Sequence, residues 1–172
     1  SFVNEGKDKI DEPVLGQVWV IDEDYMETLG MNLLEGRNFI KDRKSDNQTT
    51  IVNQAMVAKL NLNKPLGKRI SRGGRLWEII GVVEDFNYDS MKEKVQPIAF
   101  FRGRSTTITS VKVNTSDIQA LLSEMKKLWG EFVPNMALRY EFMDASFAKM
   151  YDNTKRIKLM FTSFAILAIF VA

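Results

Sequence analysis

Apolar residues change their period several times along this chain, and each change marks an element. Residues 14–21 (VLGQVWVI) gather β-branched and aromatic side chains between Pro13 and the acidic triplet Asp22, Glu23 and Asp24, which predicts a strand. Asp24 stands where it caps a short helix that Gly30 ends. Residues 31–34 predict a short extended piece closed at Gly36, and 41–47 a polar loop. Residues 49–52 predict a strand, after which Asn53 caps a helix to Leu60 with Ala55, Met56, Ala58 and Leu60 as its inward face. Pro65 and Gly67 mark a turn. Gly73-Gly74 then reads as a two-residue hairpin between 68–72 and a return strand at 76–83. That return strand is almost continuously apolar, so both of its faces should be covered. A polar loop at 84–94, a short strand at 98–101 and a loop at 103–107 follow.

The last third opens with a predicted strand at 108–113. Thr115 or Ser116 caps the strongest helix of the chain, in which Ile118, Leu121, Leu122, Met125, Leu128, Trp129 and Phe132 recur at helical spacing. Pro134 stops it. Leu138, Tyr140 and Phe142 alternate with Arg139 and Glu141, the pattern of a half-buried strand. Asp144 caps a final helix carrying Phe147, Met150, Tyr151, Thr154, Ile157, Lys158 and Phe161 on one side.

No breaker separates that helix from the tail at 159–172, LMFTSFAILAIFVA, which contains no charge, Pro or Gly. A spanning helix needs roughly 20 apolar residues. The tail reads as the first part of such a helix, entering the bilayer through Leu159, Met160, Phe161, Phe164, Ile166, Leu167, Ile169 and Phe170. One helix of about 28 residues, ~40 Å long, would join domain to membrane. A buried terminal helix is the weaker reading, because no polar face runs through 164–172. The start of the chain has no initiator Met, signal-peptide pattern or apolar run, so the expectation is a domain between two spans. The expected division is a water-facing domain at 1–158, with a β-rich lobe at about 64–104, and the start of a span at 159–172. The fold class is α+β: a mixed α/β lobe of strand–helix–strand units, an inserted β-rich lobe and a stalk helix.

Composition narrows the chemistry. A content of 45% hydrophobic and 27% charged residues is that of a folded globule, and a net charge of +2 selects no partner. The chain has no Cys and no His, which removes disulfides, thiolate chemistry, imidazole bases and Ser-His triads. No cofactor and no metal site are expected. Asp22, Glu23 and Asp24 lack the liganding pattern of a calcium loop and read as a helix-capping turn. Lys64, Lys68, Arg69, Arg72 and Arg75 could hold phosphate, lipid headgroups or nucleic acid. They read first as the solvated face of a hairpin, without the stacking aromatics of a single-strand binder, so no nucleic acid is expected. Gly67-Lys68 lacks the spacing of a phosphate loop. Trp19, Trp77 and Trp129 read as core or interface residues. Gly36-Arg37 reads as a turn whose Arg pairs locally. The loop Asp85, Phe86, Asn87, Tyr88 and Ser90 is the candidate for partner contact, since exposed loops carry function.

Several blocks together resemble a known family. Val18-Trp19-Val20, Tyr25-Met26-Glu27-Thr28-Leu29-Gly30-Met31 and Leu34-Glu35-Gly36-Arg37-Asn38-Phe39 come first. Ile51-Val52-Asn53-Gln54-Ala55 with Ala58 follows, then Pro65-Leu66-Gly67-Lys68-Arg69-Ile70. Ile79-Ile80-Gly81-Val82-Val83-Glu84-Asp85-Phe86, Ser90-Met91 and Gln96-Pro97 complete the order. In this order they resemble the MacB-type periplasmic core domain of FtsX-like ABC transporter permeases, with Gln54 where the family often has Glu. The resemblance implies a non-catalytic domain between the first and second spans of a permease in the bacterial inner membrane, facing the periplasm. Its implied work is to couple cytoplasmic ATP hydrolysis to export or other work outside that membrane. Implied partners are a cytoplasmic ABC ATPase on a separate chain or segment, a second permease in a homodimer or heterodimer, and a periplasmic protein. The alternative from another class is a ligand-sensing ectodomain of a membrane receptor. Lys155, Arg156 and Lys158 beside the tail would favour a cytoplasmic flank, but that rule weakens for loops beyond about 60 residues.

Overall fold

The computed structural model describes residues 1–4, 13–86, 95–104 and 108–143, which fall in two units, Ser1–Val113 and Asn114–Ala172. The elements of the first unit are strands β1 (Val3–Asn4), β2 (Gln17–Ile21), β3 (Leu33–Gly36), β4 (Thr49–Asn53), β5 (Arg69–Arg72), β6 (Arg75–Val83) and β7 (Ile98–Arg102), with short helices α1 (Tyr25–Thr28) and α2 (Gln54–Lys59). A 3-10 turn at Lys44–Gln48 precedes β4. Among the described residues the strands form one mixed sheet in the order β1-β5-β6-β4-β7-β2, and β3 joins the end of β6 that β5 leaves unpaired. β2 runs parallel to β7, and β4 parallel to β6, while the hairpin pairs are antiparallel.

Both faces of this sheet are covered. On one, Met56, Leu60 and Leu62 of α2 and its exit pack on Val52, Ile70, Ile79, Val82 and Phe101. On the other, Met26 of α1 and Phe39 pack on Ile21, Ile51, Val83, Ile98 and Phe100. Double coverage is why β4 is buried at every position and shows no polar alternation. The apolar run of β6 has a further cause. Thr50 pairs with Ile79 but Ile51 with Gly81, so Ile80 is a bulge that shifts the side-chain phase. Past it, Val82 joins the α2 face and Val83 the opposite one.

Residues 64–104, expected as a β-rich lobe, hold β5, β6 and β7. These strands lie in the same sheet as β2 and β4, because β4 pairs with β6 on one edge and β7 on the other. The Gly73-Gly74 hairpin forms as predicted, with φ of 59° and 76°, the left-handed pair that a tight β-hairpin requires. Gly36 and Gly81 face each other across β3 and β6, and a Cβ at Gly36 would stand 2.1 Å from the Ile80 carbonyl oxygen. The close approach lets the Arg37 N–H donate to that carbonyl at 2.9 Å.

Two buried polar residues tie the layers together. The Asn53 side chain, fully buried, accepts from Met56 N at 3.1 Å as the predicted N-cap. The same Oδ1 accepts from Ile98 N at 2.8 Å, and Nδ2 donates to the Gln96 carbonyl at 2.9 Å. Asp46, 0% exposed within the expected polar loop, receives a two-pronged ion pair from Arg37 (3.0 and 2.8 Å) and a hydrogen bond from Ile40 N at 2.9 Å. The local pairing expected for Arg37 is therefore with a buried carboxylate.

The second unit holds α3 (Ile118–Phe132). Its N-cap is Asp117, whose carboxylate accepts from Ala120 N at 2.9 Å; Thr115 and Ser116, the expected caps, lie before it. Thr115 instead accepts from Asp117 N at 3.1 Å and so orients the capping residue. Trp129 Nε1 donates to the Met136 carbonyl at 2.7 Å, closing the helix exit. Lys126 sits over the Tyr140 ring at 5.5 Å, and Tyr140 meets Phe142 edge-on. The strands predicted at 108–113 and 138–142 are not formed among the described residues. Ile108, Val111 and Val113 are exposed, as are Tyr140 and Phe142. β-propensity becomes a strand only where a ladder partner lies alongside, and among the described residues no ladder includes either segment. The predicted helix from Asp144 and the tail at 159–172 lie outside the described residues. Among those described, no helix is long and apolar enough to cross a membrane.

Replacing Asn53 with Ala leaves two buried N–H groups and a carbonyl without partners, so Asn53→Ala should lower stability by about 3 kcal/mol in urea unfolding. Asn53→Asp, which keeps the acceptors and loses the Gln96 bond, should cost less. The Arg37 guanidinium holds the Asp46 carboxyl below the usual carboxylate range, chiefly through their hydrogen bonds. A lowered folded-state pKa adds stability that is present above the unfolded value of about 3.9 and is lost as pH falls through the folded one. Asp46→Asn should therefore cost about 2 kcal/mol at neutral pH and flatten the fall in stability below about pH 4, read by unfolding at a series of pH values.

Candidate functional site

The loop expected to carry partner contact leaves the C-terminal end of β6, and its base is clamped on two sides. Glu84 N donates to the Asn32 carbonyl at 2.9 Å, and Asn32 Nδ2 donates to the Glu84 carboxylate at 3.1 Å. Asp85 makes a reciprocal pair with the start of α2: its Oδ1 accepts from Ala55 N at 2.9 Å, and its N–H donates to Gln54 Oε1 at 3.2 Å. A carboxylate against the first N–H groups of a helix satisfies donors that have no partner within the helix. Gln54 uses its side-chain oxygen for this bond, which a Glu carboxylate could also accept.

Phe86 is held by aromatic packing. It lies edge-on to Trp19 at 5.6 Å and stacks on Phe100 at 6.3 Å, while Trp19 meets Phe100 and Tyr25 edge-on at 5.7 and 6.4 Å. Such pairs are worth about 0.5–1.5 kcal/mol each beyond area burial. Burial in this cluster pushes the Tyr25 hydroxyl above its ordinary pKa. Trp19 is thus a packing residue, as expected. Asp85 and Phe86 serve the fold, fixing where the chain leaves β6. Asn87, Tyr88 and Ser90 lie outside the described residues, as do all eight residues expected to enter the membrane.

The other charged clusters divide. Asp24 occupies the N-cap of α1 through its backbone, its carbonyl accepting from Thr28 N at 2.9 Å, and its carboxylate makes no capping bond. The sequence expectation of a side-chain cap is corrected by its backbone, which is already helical at φ −92°, ψ −12°. Among the described residues no group of three or more acidic side chains is placed to hold a metal ion. The basic residues at 68–75 occupy both faces of the β5–β6 hairpin. On the α2 side, an open groove of about 860 Å³ is lined by residues of β3 and α2, among them the apolar Leu34, Val57 and Val82 and the charged Glu35 and Lys64.

A mixed sheet with few helices, an acidic residue clamping the β6 exit to α2, and a facing glycine pair are features that can be compared with known proteins. The family model described as MacB-like periplasmic core domain matches residues 2–128. The chain belongs to that family. As a MacB-like domain it shares its fold with the periplasmic region of MacB from Actinobacillus actinomycetemcomitans, at 19% identity and a TM-score of 0.55, over 78% of this chain and 64% of that one. A permease-protein domain from Porphyromonas gingivalis is similar at 17% identity and a TM-score of 0.55, over 76% of this chain and 64% of that one. This chain therefore spans less than two thirds of the length of either structure. No curated protein sequence matches it.

Within the MacB-like domain, the blocks that carried the resemblance now have physical roles. Gly36 and Gly81 allow close strand approach, Asn53 joins α2 to β7, and Asp85 closes α2. The α2 cap was legible from Asn53 beside an apolar run. The second cap, from Asp85, carries no local signal because its partner lies thirty residues away. Asp85→Ala should cost about 1 kcal/mol, and Asp85→Asn less because an amide oxygen can still accept from Ala55 N; thermal unfolding of both variants checks this.

Proposed function

We propose that this MacB-like domain is the extracytoplasmic part of an ABC transporter permease subunit in a bacterial inner membrane. In this reading it lies between the first and second spans and couples ATP hydrolysis by a cytoplasmic ATPase to export or other work on the outer side. Family membership over residues 2–128 carries the reading. The chain's own chemistry supports it: without His or Cys, the domain lacks an imidazole base and a thiolate nucleophile. The proposed partners are the ATPase, on a separate chain or segment, a second permease copy or a related permease, and a periplasmic protein at the 85–90 loop.

The proposed route for motion is the helix that begins at Asp144 and enters the bilayer through Leu159, Met160, Phe161, Phe164, Ile166, Leu167, Ile169 and Phe170. A continuous helix transmits displacement along its axis because each turn is hydrogen-bonded to the next. Within the first unit, the Asn53 and Asp46 anchors resist local deformation of the sheet.

One experiment tests both location and coupling. Ser90→Cys in the full-length protein, with no other Cys, should react with a membrane-impermeant thiol reagent in intact cells whose outer membrane has been permeabilised. Labelling only after lysis would overturn the location. In the reconstituted permease–ATPase complex, the labelling rate should differ between ATP and ADP, and a Gly-Gly insertion after Asn153 should abolish that difference without lowering the melting temperature. A nucleotide-dependent rate that survives the insertion would overturn the stalk as the coupling route.

A further inference from the structure

The basic hairpin is not one solvated face. Gly73 and Gly74 close it so that Arg72 faces Arg75 directly, while Arg69 faces Glu78. Residues directly opposite in an antiparallel ladder share a face, with Cβ atoms about 4.5–5.5 Å apart, and like charges there repel. One face of the hairpin is therefore balanced by Glu78, and the other carries two guanidinium groups. Among the described residues no carboxylate pairs with Arg72 or Arg75.

A third donor lies on that face. Trp77 stands two residues beyond Arg75 and so points to the same side. Its indole meets the Phe101 ring edge-on at 4.6 Å, and the Arg72 guanidinium lies over the same ring at 5.4 Å. Trp77 Nε1 is buried and, among the described residues, has no hydrogen-bond acceptor. A buried N–H without an acceptor is costly, as is a pair of unneutralised cations on one strand end. A single tetrahedral oxyanion relieves both, since its oxygens accept from two guanidinium groups and an indole N–H together.

We propose that Arg72, Arg75 and the Trp77 N–H form a binding site for a phosphate group, either inorganic phosphate or the phosphodiester of a lipid headgroup. To meet the anion, the Arg72 guanidinium turns from the Phe101 ring over which it lies. Phe101 and the fully buried Phe2, which stack at 6.5 Å, hold the floor of the site. The site goes beyond the transport reading and does not depend on it.

The test uses the full chain in non-ionic maltoside micelles with 15N-labelled tryptophan. It has three indole signals, from Trp19, Trp77 and Trp129, assigned by single Trp→Phe variants. Inorganic phosphate is titrated in one arm; phosphatidylglycerol, with diacylglycerol, which has no phosphate, as its control, is added in the other. The Trp77 signal should shift saturably while those of Trp19 and Trp129 stay in place. Arg72→Gln and Arg75→Gln should each weaken the effect about tenfold. A shift with inorganic phosphate assigns a site for the free anion, and a shift with phosphatidylglycerol alone assigns a headgroup site. No shift in either arm, or an equal shift in the Arg72→Gln/Arg75→Gln double variant, would overturn the proposal.

Discussion

Asn53 is the constraint on which the first unit depends. It ends the central strand, starts the helix that covers one face of the sheet and receives the first N–H of the neighbouring strand. A buried amide has one acceptor and two donor hydrogens to satisfy, and here that acceptor serves two chain segments distant in sequence. The result fixes the relative height of β4 and β7 at the same point where α2 begins. Thr50 adds a second tie between the strands, its hydroxyl donating to the Phe100 carbonyl at 2.9 Å. Register in a sheet covered on both faces has little polar alternation to define it, so bonds of this kind do that work.

The periphery is pinned by charge. Asp46 draws Arg37, Ile40 N and, at 3.8 Å, Arg43 around one buried carboxylate. This brings the segment after β3 back against the sheet and seats Phe39 in the core. Asp85 acts in the same manner at the opposite end of α2 from its exit. Both carboxylates accept from a backbone N–H, Asp46 from Ile40 and Asp85 from Ala55, and Asp46 adds the two short bonds from Arg37.

The first unit is held by several independent ties. Its sheet is braced on both faces, and its loop bases are tied to helix and turn. The exposed chemistry then concentrates where the fold leaves charge unbalanced. At the β5–β6 hairpin the ladder itself sorts the cations, Arg69 against Glu78 on one face and Arg72 beside Arg75 on the other.

The order of strands and α-helices from β2 to β7 could be read from local pattern, whereas β1, which pairs with β5 nearly seventy residues away, could not. β-branched runs, the Gly73-Gly74 pair and Asn53 before an apolar stripe are local signals, because strand propensity, turn geometry and helix capping act within a few residues. Family blocks were legible as residue patterns, while the contacts that Gly36, Gly81 and Asn53 serve cross the sheet between segments distant in sequence. The failures have the opposite cause. Residues 108–113 and 138–142 have strand composition but no ladder partner among the described residues, and Asp117 displaced Thr115 and Ser116 as cap because a carboxylate there reaches Ala120 N. Residues 64–104 hold β5, β6 and β7, and pairings across about thirty and about fifty residues join these strands to β4 in one sheet. The burial of Asp46, the second cap from Asp85 and the sharing of one Phe101 ring by Arg72 and Trp77 are likewise products of tertiary contact. By itself the sequence determined which segments could be strands, turns and helices. Only the tertiary structure decided which buried groups meet, because pairing energies between distant residues are realised when the chain has already brought them together.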